Sequence, residues 1–502
     1  MTTPGVPASL EIGSRRELFI DETMVASSTG RVERRLHSPM PREIVLRHDA
    51  PWEGTGSGYH SVFRDGDRYR MYYKAFNIQV VPGQIVSERT PHRFTCYAES
   101  TDGIHWVKPD LGLVEFEGSR ANNIVVATGR HGQLDVDAAH PAVFRDDNPA
   151  APAAARYKGL FRSDGALGLV AMQSPDGLQW SPLGEGPLIT DGAFDSQNLA
   201  FWDAAHRCYR AYWRCFAGGR IGPGVWQPEG PRGIRTASSP DFVRWGPAQD
   251  LTYTGAPPAE ELYVNQIKPY HRAPHLLIGL PVRYVERPWG PSLRALPDRE
   301  HRELRSSAQR RYGEALTETL LMCSRDGVTF TRWPEAFLRP GPERTGTWNY
   351  GHQYAAWHLV ETASDLGAEA PPELSLYAVE HYWLGRGSAL RRYTLRLDGF
   401  VSLHAPMAGG EAVTPPLTYS GRELRLNFAT SAAGEVRVEL QDAAGAALPG
   451  FALSDCDPVF GDAVDRPVTW RAGPSVAALA GRPVRLRFSL RDADVFAFRF
   501  AG

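Results

Sequence analysis

Four acids stand where a carboxyl group could do chemistry: Asp195 in FDSQN, Glu261 in EELYVNQ, Asp137 in LDVDAAH and Glu53 in PWEG. Carboxyls in pairs divide the labour of bond hydrolysis. One, kept protonated, donates to the leaving oxygen; the other, kept ionised, activates water or attacks the reacting carbon. Environment must push their two pKa values apart. Asp195, among polar neighbours at the head of a strand-like run, is expected as nucleophile or base. Glu261, opening the next such run, is expected as the acid. Asp137 would be a third carboxylate that tunes the acid, and Glu53 a substitute in either role. Around them His60, His140, Gln197, Asn198, Asn265 and His352 could bond the hydroxyls of a substrate. Trp348 and Tyr350 offer flat stacking faces, and Arg283 and Arg392 could hold hydroxyls or a carboxylate. Each acid also has a plain structural alternative. Asp195 can cap a turn, Glu261 stands beside Glu260 in a polar pair, and Asp137 can be loop. The three histidines suit hydrogen-bonding wall or core positions better than metal ligation. Other chemistries lack their residues: the chain has no G-x-S-x-G elbow, no phosphate-binding glycine loop and no H-E-x-x-H.

Residues so far apart need a scaffold that gathers them, and the sequence writes one four times. AESTDGIHW (98–106), MQSPDGLQW (172–180), ASSPDFVRW (237–245) and CSRDGVTFTRW (323–333) each carry a Ser, an Asp-led turn and a Trp. Asp can accept from backbone amides two residues on, and Gly supplies the positive φ of a reversal. The turn acids Asp102, Asp176, Asp241 and Asp326 are spaced 74, 65 and 85 residues apart. That period is too long for a hairpin and suits a four-stranded unit that recurs, a propeller blade with insertions. Strand-like pairs precede each copy, as in GYHSVFRDGDRYRMYYKAF (58–76) and NLAFWDAAHRCYRAYWRCF (198–216), and a fifth unit runs from 351 to 403. The fold class expected is all-β: a five-bladed β-propeller over 1–404, then a β-sandwich over 405–502, where the strands alternate cleanly and the turn motif is gone. Five innermost strands would then bring their first residues to one funnel: Glu53, Tyr59 and His60; Asp135, Asp137 and His140; Asp195, Gln197 and Asn198; Glu260, Glu261 and Asn265; Trp348, Tyr350 and His352. The turn acids serve folding at the outer edge. The Arg-rich insert 286–314 is expected as a short helix or a loop.

Five blades, Asp-led turns closing on Trp and a C-terminal sandwich resemble the five-bladed glycoside hydrolases, the arabinanase-like family 43 and invertase-like family 32. The chain also looks like a bacterial branch described as glycosyl-hydrolase-like. The segments that carry this are ELFIDE, HDAPWEG, GYHSVFRDGDRYRMYY, FDSQNLAFWD, LYVNQIKPY, SRDGVTF, LRRYTLRLDGF and ATSAAGEVRVELQDAAGAALPGF, nearly the whole chain. The resemblance implies a glycosidase acting on an oligosaccharide, including furanosides, with no cofactor beyond a structural Ca²⁺ of the kind similar propellers hold. The chain departs from those families at GSGYHSVF, which has neither NDPNG nor a DP dipeptide, so their first catalytic carboxylate has no counterpart there.

Bulk properties narrow the classes further. Over 502 residues, 42% hydrophobic and 22% charged is ordinary globular composition. A net charge of −2 excludes the basic field of a nucleic-acid or anionic-membrane binder. Five scattered cysteines argue against a structural zinc site and for reduced thiols. No signal-like start or long apolar run is present, so a cytoplasmic protein acting on small carbohydrates is expected. Two rivals stand beside the hydrolase: a sugar-binding propeller without turnover, favoured by the missing blade-one acid, and a polysaccharide lyase using a pair such as Tyr59 and His60.

Overall fold

The computed structural model describes residues 9–502 apart from 88–92, 164, 166, 223–224, 256–259 and 472. The protein is all-β. Among the described residues α-helix is confined to the insert, as Pro291–Ala295, Arg299–Ala308 and Arg311–Glu314. No helix is long and apolar enough to cross a membrane.

Five sheets follow one another along the chain. Blade 1 is Gly58–Asp65, Arg68–Phe76, Arg93–Ser100 and Ile124–Ala127. Blade 2 is Leu134–Arg145, Tyr157–Ser163, Gly168–Ser174 and Ser181–Leu183. Blade 3 is Leu199–Asp203, Cys208–Gly222, Val225–Ser239 and Gln249–Asp250. Blade 4 is Lys268–Tyr270, Ala273–Gly279, Met322–Ser324 and Thr329–Arg332, with Thr252–Thr254 added in parallel outside. Blade 5 is Val360–Thr362, Glu373–Glu380 and Ala389–Arg396, and its outermost strand, Met40–Arg47, comes from ahead of blade 1. Two ends of the chain thus meet in one sheet. The innermost strands of blades 1 and 5 also meet directly: Trp357 N donates to His60 O at 2.7 Å and Val62 N to Trp357 O at 3.0 Å.

The repeated turns tie blade to blade. In each, the Ser oxygen accepts from the backbone or donates to the Asp, and the Asp Oδ1 accepts two amides further on; Asp102 takes Ile104 N and His105 N, both at 2.8 Å. The glycine carbonyl then accepts a tyrosine hydroxyl from the preceding blade. Tyr377 donates to Gly103 O at 2.6 Å, Tyr72 to Gly177 O at 2.9 Å and Tyr212 to Gly327 O at 2.9 Å. A Cβ on Gly177 would stand 2.4 Å from the Tyr72 hydroxyl, so glycine is required for space as well as for its φ of +81°. The third copy breaks both halves of the rule together. Phe242 replaces glycine at a φ of +71°, and Leu160 stands where blades 1, 3 and 5 have tyrosine; the two join one apolar core. An apolar contact there replaces a hydrogen bond.

The C-terminal strands form a separate sheet system around Leu426, Val438, Trp470, Phe488 and Phe498. Glu423–Asp442 and Val484–Ala501 pair antiparallel along most of their length. The division expected at 404/405 does not describe how the chain is shared out. Leu10–Gly13, Glu17–Leu18, Ser27–Gly30 and Glu33–Leu36 pair with C-terminal strands, and Ile12 and Phe19 enter their core. Val401–Ala405, read with blade 5, belongs to the same sheet. Short edge strands such as SSTG and ERRL carry no apolar run that names a partner, and pairing across some 400 residues leaves no local trace. Buried Glu17 accepts Arg325 Nη1 at 2.9 Å, beside the turn of blade 4, which fixes the sandwich against the wheel.

Candidate active site

The innermost strands run in one sense through the wheel. Tyr59 stands at the head of Gly58–Asp65, with Phe63 and Arg64 near its tail; His140 and Arg145 bracket blade 2 the same way. The two ends open into separate cavities, about 360 Å³ at the Tyr59 and His140 end and about 390 Å³ at the Phe63 and Arg145 end. Between them two glutamines cross the axis. Gln197 Nε2 donates to Tyr59 O at 2.9 Å, and Gln266 Nε2 to Gln197 Oε1 at 2.7 Å and Ala355 O at 2.6 Å.

Asp195 lies in the first cavity, 48% of its side chain exposed to it. Behind it runs a chain of groups. Asp137, fully buried, faces His140 Nδ1 at 2.8 Å, and His140 Nε2 faces Asp195 Oδ1 at 3.1 Å. The His140 ring thus bridges the two acids through its two nitrogens. Arg162 comes within 4.0 Å of Asp195 and Arg214 within 3.7 Å. Burial works to raise the Asp195 pKa, but the His140 hydrogen bond and the charges of Arg214, His140 and Arg162 hold it far below the usual carboxylate range. Asp137 is held down likewise, against burial, by His140, Arg93 and Arg162. Asp195 is therefore a carboxylate at any working pH.

Glu261 opens the short strand Glu261–Leu262, which pairs with Val282–Glu286 at the cavity rim. Its Oε2 accepts from Arg232 Nη1. Strand alternation separates it from Glu260, whose oxygens turn away to Arg283 and Arg332. Tyrosines wall the space: Tyr59, Tyr263, Tyr350 and Tyr382 from four different stretches, with Tyr350 Oη 3.0 Å from Tyr263 Oη. Tyr59 reaches it from a backbone at φ +52°, where the register of its strand shifts between Gly58 and Ser61. Burial, with Tyr263 and Asp195 nearby, drives its hydroxyl pKa well above the usual value. Lys74 lies on the floor, its Nζ 3.1 Å from Tyr382 Oη and 4.4 Å from the Tyr59 ring centre. Burial pulls its pKa down to about 8, although Asp195 and Asp137 work to raise it. The insert completes the wall with Arg311 and Tyr312.

No family model matches the chain. Over 146 residues it is 30% identical to "Uncharacterized protein MT1551" and "Uncharacterized protein Rv1502" of two Mycobacterium tuberculosis strains, a stretch that is 28% of this chain and 40% of the length of each relative. Solved structures similar to it include a thermostable family-43 glycoside hydrolase at 14% identity (72% of this chain, 96% of that one, TM-score 0.41) and the Bombyx mori GH32 β-fructofuranosidase BmSUC1 at 9% identity (93% and 94%, TM-score 0.36). An N-acetylgalactosamine deacetylase from F. plautii in complex with blood group B trisaccharide is similar at 12% identity (72% and 96%, TM-score 0.42).

Of the residues expected at the site, Asp195, Glu261, His140, Tyr350 and Tyr59 share the cavity, and Asp137 stands directly behind it. Asp137 acts on His140 and Asp195, not on the expected acid. The others lie elsewhere. Glu53 is buried, held by Ala50 N at 2.8 Å, Tyr73 Oη at 2.6 Å and Lys108 Nζ at 2.7 Å. His60 packs on His48 and Tyr73 in the core, with Nε2 3.0 Å from His48 Nε2. Gln197 is the axial cross-brace. Asn198 bonds the Phe194 and Ser196 carbonyls at 3.0 and 2.9 Å, and Asn265 accepts Ile267 N at 3.2 Å. His352 is buried, its Nδ1 accepting Trp348 N at 3.1 Å. Trp348 and Arg283 line a shallow depression away from the axis, and Arg392 binds Glu43 at 2.6 Å and Asp365 at 3.3 Å on blade 5. Innermost-strand heads are crowded by neighbouring blades, so most polar groups there satisfy backbone instead of facing a ligand. Among the described residues no group of three or more His, Cys, Asp and Glu side chains is set to hold a metal ion. The cations at the cavity are not among the expected residues, yet the sequence carries a signal for them. In RYRMYYK, RYKGLFR and CYRAYWR a tyrosine is followed five residues later by Lys74, Arg162 or Arg214, at one place in three second strands.

Proposed function

We propose that the Asp195 cavity hydrolyses a glycosidic bond of a small oligosaccharide. One observation carries this: Asp195 and Glu261, from separate parts of the chain, face one tyrosine-walled cavity, and Asp195 is held ionised. Asp195 is the nucleophile or the base that activates water. Glu261 is the acid that protonates the leaving oxygen. Asp137 and His140 position Asp195 and keep its charge. The tyrosines supply the flat faces on which a sugar ring stacks. Elimination by Tyr59 and His60 finds less support, because His60 is turned into the core and the Tyr59 hydroxyl is held protonated by its surroundings.

The test is turnover of an aryl-glycoside and oligosaccharide panel by the native protein and by Asp195→Asn and Glu261→Gln, beside calorimetric binding of the best substrate. Loss of turnover with binding retained in both variants is the expected result. Sugar binding with no cleavage of any glycoside by the native protein would leave a binding propeller. A product absorbing near 230 nm would show a lyase.

A further inference from the structure

Six cationic side chains line the cavity, Lys74, Arg93, Arg162, Arg214, Arg232 and Arg311, against three carboxylates, Asp195, Glu261 and Glu286. Arg93 and Arg162 engage Asp137 behind the wall. The other four are less well matched. Lys74 has no carboxylate within 4.0 Å among the described residues, and its Nζ has only a phenol; Arg311 likewise has only Tyr312 Oη, at 3.2 Å. Arg214 reaches Asp195 no closer than 3.7 Å. Arg232 holds Glu261 through one nitrogen, while its buried Nε has no partner. Lys74, Arg214 and Arg232 are 4%, 3% and 9% exposed. Two guanidiniums, those of Arg214 and Arg232, lie 5.0 and 5.6 Å from the centre of the same ring, Tyr263. Burying like charges side by side, short of carboxylates, costs several kcal/mol unless an anion joins them. A neutral sugar gains nothing from such an arrangement.

We infer that the cavity takes a sugar bearing a carboxylate, a uronic acid, whose anion is received between Arg214, Arg232 and Lys74 beside the tyrosine faces. The inference rests on the hydrolase function proposed above, which it narrows to uronides. A carboxylate fits because planar guanidinium donors match its two oxygens. A bound carboxylate would also draw Arg232 away from Glu261 and free the glutamate's Oε2 to face the leaving oxygen.

Calorimetry on the full chain compares glucuronate and galacturonate with glucose and galactose, and with a 6-sulfated galactose. The expected result is at least tenfold tighter binding of one uronate than of its neutral counterpart, weakened by added salt and weakened about tenfold in Lys74→Met. Arg311→Gln, at the half-buried rim, is the second variant should Lys74→Met not fold; a threefold or greater loss is expected. Equal or tighter binding of the neutral sugar overturns the inference, as does tighter binding of the sulfate ester, which would replace the carboxylate with a tetrahedral anion. Aryl uronides and neutral aryl glycosides separate the two levels. Cleavage of neutral glycosides alone defeats the uronide inference and leaves the hydrolase. Uronate binding without cleavage of any uronide defeats the hydrolase and leaves the anion site.

Discussion

The two mouths of the propeller are built by the opposite ends of the same strands, and they differ in what the chain has done with charge. At one, Asp195 stands in a field of arginines, tied through His140 to a second buried acid. At the other, Lys268 is ringed by Phe144, Phe201 and Trp357 at 5.2–5.6 Å. Its acids, Asp147 and Glu361, are matched at once by Arg145 at 2.9 Å and by His271 at 2.8 Å. The cavities are alike in size, so volume does not tell them apart. What does is that one holds a carboxylate polarised by groups whose own charges are incompletely answered, and the other holds acids already neutralised by neighbours. On the proposed function, the perturbed groups converging on the first cleft are the reacting ones and the paired acids at the far mouth are finished surface.

Breaking that contrast at its strongest point gives the largest effect. On the proposed function, Asp195→Asn should lower kcat by about 10³-fold or more, since it removes the ionised partner that the mechanism assigns there. Asp147→Asn, at the far mouth, should leave kcat within about twofold, by the same reasoning that surface substitutions away from a site are nearly neutral. Steady-state kinetics on one uronide measures both. Equal losses from the two would erase the distinction between the mouths.

One step back from the reacting group the effect shrinks. Asp137→Asn keeps the volume but removes the charge that faces His140 Nδ1 at 2.8 Å. Partners of this kind are worth about 10–100-fold, as they are behind metal-bound histidines. The drop should fall on kcat more than on KM. A purely structural role would instead lower the amount of folded enzyme and leave kcat per folded molecule where it was.

The same comparison shows how far the sequence could be read. Blades were legible because each needs a reversal at a fixed place, and Ser-x-Asp-Gly is a local chemical solution to that need. That Asp195 and Glu261 share one cavity was legible because strand heads at the hub are few. Glu53, His60 and Gln197 come from equally good positions, yet their side chains satisfy Tyr73, His48 and the Tyr59 carbonyl. Position along a strand does not say which way a bulge will turn a side chain, and the shift between Gly58 and Ser61 sends Tyr59 to the cavity and His60 to the core. Residues 10–36 escaped for a different reason. Their partners lie at the far end of the chain, and nothing within SSTG or ERRL announces it.

Lys74 and Lys268 sharpen the contrast in stability. Burial brings both down to about 8 from 10.5. Between those values the unfolded chain binds a proton that the folded chain does not, so each lysine makes stability rise with pH across roughly 8 to 10.5. At pH 7 that shift makes Lys74 a burden of about 3 kcal/mol, on the scale of 1.36 kcal/mol per pKa unit. Lys74→Met should therefore raise the melting point at pH 7, flatten its rise above pH 8, and weaken uronate binding. Lys268→Met should do the first two less strongly, its side chain being only half-buried, and leave the ligand untouched. Chemical denaturation at pH 7 and pH 10 measures the difference. A lysine that stabilises the fold at pH 7 would contradict the account of either mouth.

The smallest effect concerns the turns that carry neither mouth. Tyr377→Phe removes only the hydroxyl that reaches Gly103 O at 2.6 Å, and should cost about 1–2 kcal/mol with kcat unchanged. Leu160→Tyr asks the converse question at the junction where the pattern is broken. Phe242 already fills the space that glycine leaves open elsewhere, so the added ring and hydroxyl find no room and no free glycine carbonyl, and overpacking should cost about 1–3 kcal/mol. Restoring both halves with Leu160→Tyr and Phe242→Gly should recover part of that loss. Equal costs for the single and double variants would mean that the tyrosine and the glycine are not one device, and that blades are held together by packing alone.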